Sequence, residues 1–427
     1  MCLVSILHRT DAGRVLAPVT EGLTGLAARA AGRGRTIVAL DIMKEKGVPL
    51  DRQENFTWRS MVREPISKLN DDAFTRLRII LMNGVEMEAN RFQHGFARMN
   101  RDLRGALARV RRIETHQQVA VNWLLPADQS PLETTIAYEQ VAIEVTASLA
   151  LLEPDPYMAQ ILRFGLLEDF DHLYRYSALL DRLEGKDANA ILQSYTDVLP
   201  GRPTVVEHRH PLDDVRESYD KNKAAPITKL IALTILSGEQ QTLNYYQNIG
   251  PLFADPMARQ LYAEIGHIEE QHVTQYESMI DPDETWLEKW LIHEATEVWN
   301  YLACLEQETD SRVKAIWDEF LAYELGHLHY VMDLFQRIEN RDPMEILPAT
   351  LPERIKYMSH RDFVREVLRS EVDLRAVGTQ FVPESEVPAD SPSIAYRAQL
   401  NSEGSPSQIV AAGYRYTPGT ELSKKAA

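Results

Sequence analysis

Apolar residues recur at spacings of three and four across most of residues 71–340, the period of helices that bury one face. Around Glu294 the repeat is Leu287, Leu291, Val298, Tyr301 and Leu305; around Glu324 it is Trp317, Phe320, Leu321, Leu328, Val331 and Phe335. Tyr262, Ile265, Tyr276 and Met279 share a face with Glu269, while Ala232, Ile235, Thr242 and Tyr246 flank Glu239. Turn chemistry interrupts the pattern at Gly250–Pro256 and Thr309–Ser311. Positions 100, 155, 255 and 310 read Asn, Asp, Asp and Asp, all good helix N-caps. Helices are therefore expected over 71–123, 133–153, 156–182 and 226–340, with one more over 360–377. A short amphipathic helix is expected over 21–31, and a strand or extended segment over 36–42.

The helical faces turned toward the core carry ionisable residues. Glu239 is followed 30 residues later by Glu269 and then by His272; Glu294 is followed 30 residues later by Glu324 and then by His327. Glu-x-x-His sets two side chains one turn apart on one face. The midpoint of each pair falls in a turn, so an antiparallel hairpin brings Glu239 level with Glu269 and Glu294 level with Glu324. A buried carboxylate is costly unless it is paired or metal-bound. Four on one core require cations. The expectation is a four-helix bundle over 226–340 built around two metals, with Glu239, Glu269, His272, Glu294, Glu324 and His327 as ligands. Glu297, one turn past Glu294, is an expected extra ligand or close neighbour of the site. His267 lies five residues before His272 and so points away from it, toward the surface or behind the ligands.

Shifting this set back by 155 positions meets Gly84, Glu114, Gln117, Glu139, Asp169 and His172. Flanking residues agree as well: Glu139-Gln140 with Glu239-Gln240, Asp155-Pro156 with Asp255-Pro256, and Tyr176 with Tyr276. This implies an internal duplication, with a related bundle over 71–182. Gly84 stands where a Glu is expected and Gln117 where a His is expected. The earlier bundle is thus expected to be structural, with a degenerate site that leaves a single metal at most on Glu114, Glu139, Asp169 and His172. Glu86, Glu88, His94 and His116 lie nearby and could substitute, although they are out of register.

The remainder divides into an N-terminal extension (1–70), a linker (183–225), a helical extension (341–377) and an extended or disordered tail (378–427) rich in Pro, Ser and Gly. Pro203 and Pro211 argue against a helix at Glu207-x-x-His210, so the linker is expected to be a surface connector. His208 and His210 are candidates for a surface metal site or a cover over the bundle mouth.

A net charge of −17 argues against nucleic acid as a partner, although residues 1–70 are mildly basic. Two cysteines, Cys2 and Cys304, make neither a Cys₄ site nor a disulfide framework. No apolar run reaches the ~18 residues of a membrane span, and Met1–Leu7 lacks a charged lead-in to a secretory signal. A soluble, cytoplasmic protein is expected.

The ligand pattern resembles that of the ferritin-like superfamily, the di-iron and di-manganese carboxylate proteins. Glu269-Glu270-Gln271-His272 and the paired hairpins are most similar to the rubrerythrin branch, and manganese catalases have a similar layout. The resemblance covers 226–340 well, 71–182 partially and the termini not at all. It implies an all-α fold of two tandem ferritin-like four-helix bundles. It also implies that Glu269 and Glu324 bridge the metals, that His272 and His327 bind one each, and that Glu239 and Glu294 are terminal ligands. Rubrerythrins carry a Cys₄ domain for electrons; this chain has none, so an external electron donor is implied. The cofactor implied is two Fe, or alternatively two Mn. The expected activity is oxidoreduction with peroxide or O₂; dimanganese catalase, substrate oxygenation, and a non-catalytic iron-binding or scaffold role are the alternatives. Tyr246, Tyr262, Tyr276 and Trp317 are expected as core walls or as an electron relay. A homodimer is expected.

Overall fold

Eight long helices dominate the chain, and local sequence sets where each begins. In a computed structural model, which describes residues 40–417, they are α1 (Ala73–Met99), α2 (Arg104–Asn122), α3 (Pro131–Leu152), α4 (Pro156–Glu184), α5 (Pro226–Ile249), α6 (Pro256–Glu277), α7 (Trp286–Gln307) and α8 (Ser311–Glu339). Asp72, Asp155, Asp255 and Asp310 accept backbone N–H bonds at the starts of α1, α4, α6 and α8. Ser130 with Glu133, and Thr285 with Glu288, form capping boxes on α3 and α7. Asn100, expected as an N-cap, instead ends α1, and α2 starts four residues later without a side-chain cap. Gly185 and Asn340 close α4 and α8 in left-handed conformation.

Consecutive helices pack as hairpins, α1 with α2, α3 with α4, α5 with α6 and α7 with α8. How the hairpins associate differs from the sequence expectation. The two middle hairpins face each other, α3 against α5 and α4 against α6; the first and last also associate, through α1 against α7. Residues 226–340 therefore do not close on themselves around one site. The described residues from Asp41 onward cluster as a single unit.

Helices α1, α3 and α5 pack on one another, and α7 packs on α1 and α5. The reason α5 lies so close to α1 is Gly84. A Cβ there would come within 2.6 Å of the Gln241 amide and 2.8 Å of the Ser237 carbonyl. Gln241 uses this proximity, donating to Ile80 O (2.6 Å) and accepting from Asn83 (3.0 Å). At one end, Arg78 on α1 pairs with buried Glu308 at the α7–α8 turn (2.8 Å) and ties the first hairpin to the last. Helix α3 is, among the described residues, the one helix long and apolar enough to cross a membrane. Its apolar window is 89% buried by the rest of the protein.

The outlying segments are ordered against this body. Residues 41–66 lie against the helices, with Val48 N donating to Ala322 O on α8 (2.7 Å), Ile66 N to Leu124 O after α2 (2.9 Å) and Ile42 N to Ala349 O beyond α8 (2.9 Å). The expected elements at 21–31 and most of 36–42 lie outside the described residues. The linker is not a surface connector. Arg202, Thr204, Glu207, His208, Arg209, Asp213 and Asp214 are all buried, and Thr204–Glu207 forms one helical turn between the prolines. Nor is the tail extended. After α9 (Arg361–Glu371) come an antiparallel hairpin, β1 (Leu374–Val377) with β2 (Gln380–Pro383), then α10 (Pro392–Leu400) and α11 (Pro406–Val410). Ser405 and Ser407 donate to Glu264 on α6 (2.8 and 3.2 Å), and Arg397 donates to Val206 O in the linker (2.8 Å). The tail wraps its own body.

Candidate metal centres

Each four-helix group encloses a carboxylate–histidine cluster. In the middle group, α3 contributes Glu139, α4 Asp169 and His172, α5 Glu239, and α6 Glu269 and His272, none more than 1% exposed. Ligand atoms of Asp169, Glu239, Glu269 and His272 lie within 4.8 Å of one another, as do those of Glu139, His172 and Glu269. Glu269 is common to both sets. The three residues from α3 and α4 match the three from α5 and α6 at a constant offset (239 − 139 = 100, 269 − 169 = 100, 272 − 172 = 100).

Both imidazoles are held from behind. His172 Nε2 hydrogen-bonds Glu207 Oε2 of the linker at 2.9 Å, and His272 Nε2 hydrogen-bonds Glu168 Oε2 at 2.8 Å. Arg209 and Arg202 in turn pair with Glu168. The two Nδ1 atoms face the cluster: His172 Nδ1 is 3.1 Å from Glu269, and His272 Nδ1 is 3.3 Å from Asp169 and 3.5 Å from Glu239. A histidine whose outer nitrogen is fixed by a carboxylate while its inner nitrogen faces other carboxylates has the arrangement of a metal ligand. Facing inward, one oxygen of Glu139, both of Asp169, Glu239 and Glu269, and both Nδ1 atoms have no hydrogen-bond partner. So many orphaned buried polar atoms in one place fit a cation-binding site.

The electrostatics agree. Burial, reinforced by neighbouring carboxylates, holds Glu139, Glu239 and Asp169 above the usual carboxylate range. Burial works the same way on Glu269, but the imidazoles of His172 and His272, 3.1 and 3.5 Å from its oxygens, outweigh it and bring its pKa down to about 2. Burial pushes Glu207 up to about 8 against the pull of His172, while Glu207 and Glu269 hold His172 above the ordinary imidazole range against its own burial. Without metal, protons and imidazolium balance the carboxylates. Two divalent ions would match the four carboxylates charge for charge.

The second, or outer, cluster lies among α1, α2, α7 and α8. Ligand atoms of Glu114, Glu294, Glu324 and His327 lie within 4.8 Å of one another, as do those of Glu86, Glu297 and Glu324. His327 Nε2 hydrogen-bonds Gln53 Oε1 at 2.6 Å, and Nδ1 lies 3.0 Å from Glu324. The Gln53 amide is set by donating to Val48 O and Tyr323 O (2.6 and 3.1 Å). Protein donors already reach several of these carboxylates: Gln93 to Glu114 (2.7 Å), Trp290 to Glu294 (2.6 Å), Tyr301 to Glu86, and Gln117 to Glu324. Burial pushes Glu114 up to about 7, against the pull of His327.

The six residues expected to form one site are thus split between two. Glu239, Glu269 and His272 are completed by Glu139, Asp169 and His172, which the sequence had suggested as remnants of a degenerate site. Glu294, Glu324 and His327 are joined by Glu114, by Glu297 and by Glu86, which the sequence reading set aside as out of register. Glu269 and Glu324 each span two sets of ligand atoms, but in different clusters. Glu88, His94 and His116 belong to neither cluster; His116 packs against Phe56 with the rings tilted at 51°. His208 is buried 3.7 Å from Glu264, and His210 accepts from Leu212 N at 3.3 Å; neither forms a metal group. His267 is half-buried and hydrogen-bonds Tyr396 (2.6 Å). Tyr246 hydrogen-bonds Glu139 and packs with Tyr176 and Tyr262, and Tyr276 lies beside His272, so three of the four expected aromatics line the middle cluster. Trp317 instead donates to Glu308 (3.0 Å). Nothing in the sequence marked Glu207 or Gln53 as a support for a histidine.

Comparison of the chain with family models, with curated proteins and with solved structures found no match.

Proposed function

We propose that the middle cluster holds two iron ions and that the protein is a ferritin-like oxidoreductase reacting with peroxide or O₂, supplied with electrons by an external donor. The observation that carries this reading is the buried set Glu139, Asp169, His172, Glu239, Glu269 and His272. Two helices give one carboxylate each, and two give a carboxylate-x-x-His pair, the ligand scheme of dinuclear bundle proteins. Mixed carboxylate and imidazole donors, one histidine to each ion, suit Fe or Mn better than Cu or structural Zn. The constant offset of 100 between the two middle hairpins supports their origin by duplication, with the first and last hairpins as a second, diverged bundle.

When bound by these residues, such an ion pair would supply the redox chemistry for a small oxidant. The protein's own residues set the conditions. Glu207 and Glu168 keep each imidazole turned with Nδ1 inward. Tyr246 donates its hydroxyl proton to Glu139, and the Tyr176–Tyr246–Tyr262 packing keeps bulk water from that side.

The test is anaerobic loading with Fe(II), followed by exposure to peroxide or O₂, beside Glu269→Ala. Oxidant consumption with a di-iron absorption spectrum, absent from the variant, is expected. Loaded protein that consumes neither oxidant overturns the iron reading; peroxide disproportionation by manganese-loaded protein alone would replace it with a dimanganese catalase.

A further inference from the structure

We propose that the cluster of Glu86, Glu114, Glu294, Glu297, Glu324 and His327 is a second, separate metal centre, richer in oxygen donors than the first and selective for Mn²⁺. Five carboxylates meet there with a single imidazole, all at most 1% exposed. Among the described residues, His327 is the one cationic side chain at ion-pair distance from any of the five. Protein donors satisfy part of this charge, each in a particular direction. Trp290 takes one oxygen of Glu294 and Tyr301 one of Glu86, and in both residues the second oxygen is left without a partner. Glu297 is the decisive residue: it is buried and neither of its oxygens has any partner.

Protonation alone does not resolve this arrangement. A neutral carboxyl still needs an acceptor for its O–H and a donor for its C=O, and Glu297 has neither. A cation shared with Glu86 and Glu324, whose ligand atoms lie within 4.8 Å of those of Glu297, satisfies all three residues at once. The His327 imidazole is prepared for the neighbouring position in the same way as the histidines of the first centre. Gln53 holds Nε2, leaving Nδ1 toward Glu324, Glu114 and Glu294.

The two centres differ in donor chemistry. Where the first has His172, the second has the Gln117 amide, whose oxygen is buried without a partner. One of the two positions, among Glu86, Glu297 and Glu324, offers carboxylate oxygen alone. Carboxylate and amide oxygens favour hard ions such as Mn²⁺, whereas imidazole shifts preference toward later metals. The chain is thereby built to hold different metals in its two bundles.

The experiment uses the full chain stripped of metal and dialysed against equimolar Mn²⁺ and Fe²⁺ without oxygen. Crystals are then measured on either side of the Mn and Fe absorption edges. Manganese density among Glu86, Glu294, Glu297 and Glu324 is expected. In solution, Glu297→Gln should reduce bound manganese by the outer-centre share and leave bound iron unchanged, whereas Glu269→Ala should do the reverse. Absence of anomalous density at the outer cluster overturns the proposal even if Glu297→Gln fails to fold. Iron there in place of manganese overturns the selectivity. Loss of the first centre alone would leave this proposal standing.

Discussion

At the scale of single residues, the groups behind the histidines matter as much as the ligands. Glu207 and Gln53 touch no metal position, yet each fixes the ring that does. Removing such a support costs metal affinity by roughly 10- to 100-fold. Glu207→Ala should therefore weaken binding at the middle cluster only, and Gln53→Ala at the outer cluster only, measured by competition with a chelator of known affinity. Glu207→Gln keeps an acceptor for His172 Nε2 and should recover most of the loss; equal weakening by Ala and Gln would mean that the carboxylate charge, not the orientation, is what counts. None of this was legible in the sequence. Glu207 follows two valines between prolines, and Gln53 lies some 270 positions from the ring it holds. Glu86 was named in the sequence but set aside, for a local reason. Its pairing with Glu114 spans 28 residues, not the 30 of the other hairpins.

At the scale of elements, the helices and most of their starts followed from the period of three and four and from the Asp, Ser and Thr caps. The partnership of hairpins did not follow. The same 30-residue spacing recurs in Glu139–Asp169, Glu239–Glu269 and Glu294–Glu324, so it aligns carboxylates within a hairpin without saying which other hairpin completes the cluster. That choice depends on side-chain packing between α1, α3, α5 and α7, where Gly84 lets α1 approach α5 closely. Gly84 marks the lost register of a ligand in the sequence; in the structure it is a close contact between α1 and α5. Gly84→Ala should destabilise the protein by about 1–3 kcal/mol through overpacking, read as a lower melting temperature with metal content retained. An unchanged melting temperature would show that α1 and α5 separate freely. The linker and tail carried polar, proline-rich sequence that suggested solvent exposure, but their charges find partners: Glu168 with Arg202 and Arg209, and Glu264 with Ser405 and Ser407. Truncation after Asp390 removes α10 and α11 and uncovers Glu264. Faster release of metal from the middle cluster, with the outer cluster unaffected, is the expected result; equal release from both would indicate general unfolding instead.

At the scale of the whole molecule, two clusters each bury an excess of carboxylate, and the folded state depends on what balances it. A ligand that binds the native state alone stabilises it in proportion to its occupancy. Chelation should lower the melting temperature, and re-addition of Fe²⁺ or Mn²⁺ should restore it; a metal-independent transition would place the balance of charge elsewhere. The most direct test of the central claim is metal content per chain in protein purified without chelator, for wild type beside Glu269→Ala, His172→Ala and His327→Ala. If the clusters are arranged as described, Glu269→Ala and His172→Ala remove the same iron, and His327→Ala leaves that iron in place. Retention of all iron by His172→Ala, together with its loss from His327→Ala, would instead join Glu269 and His327 in one centre and contradict the pairing of the middle hairpins.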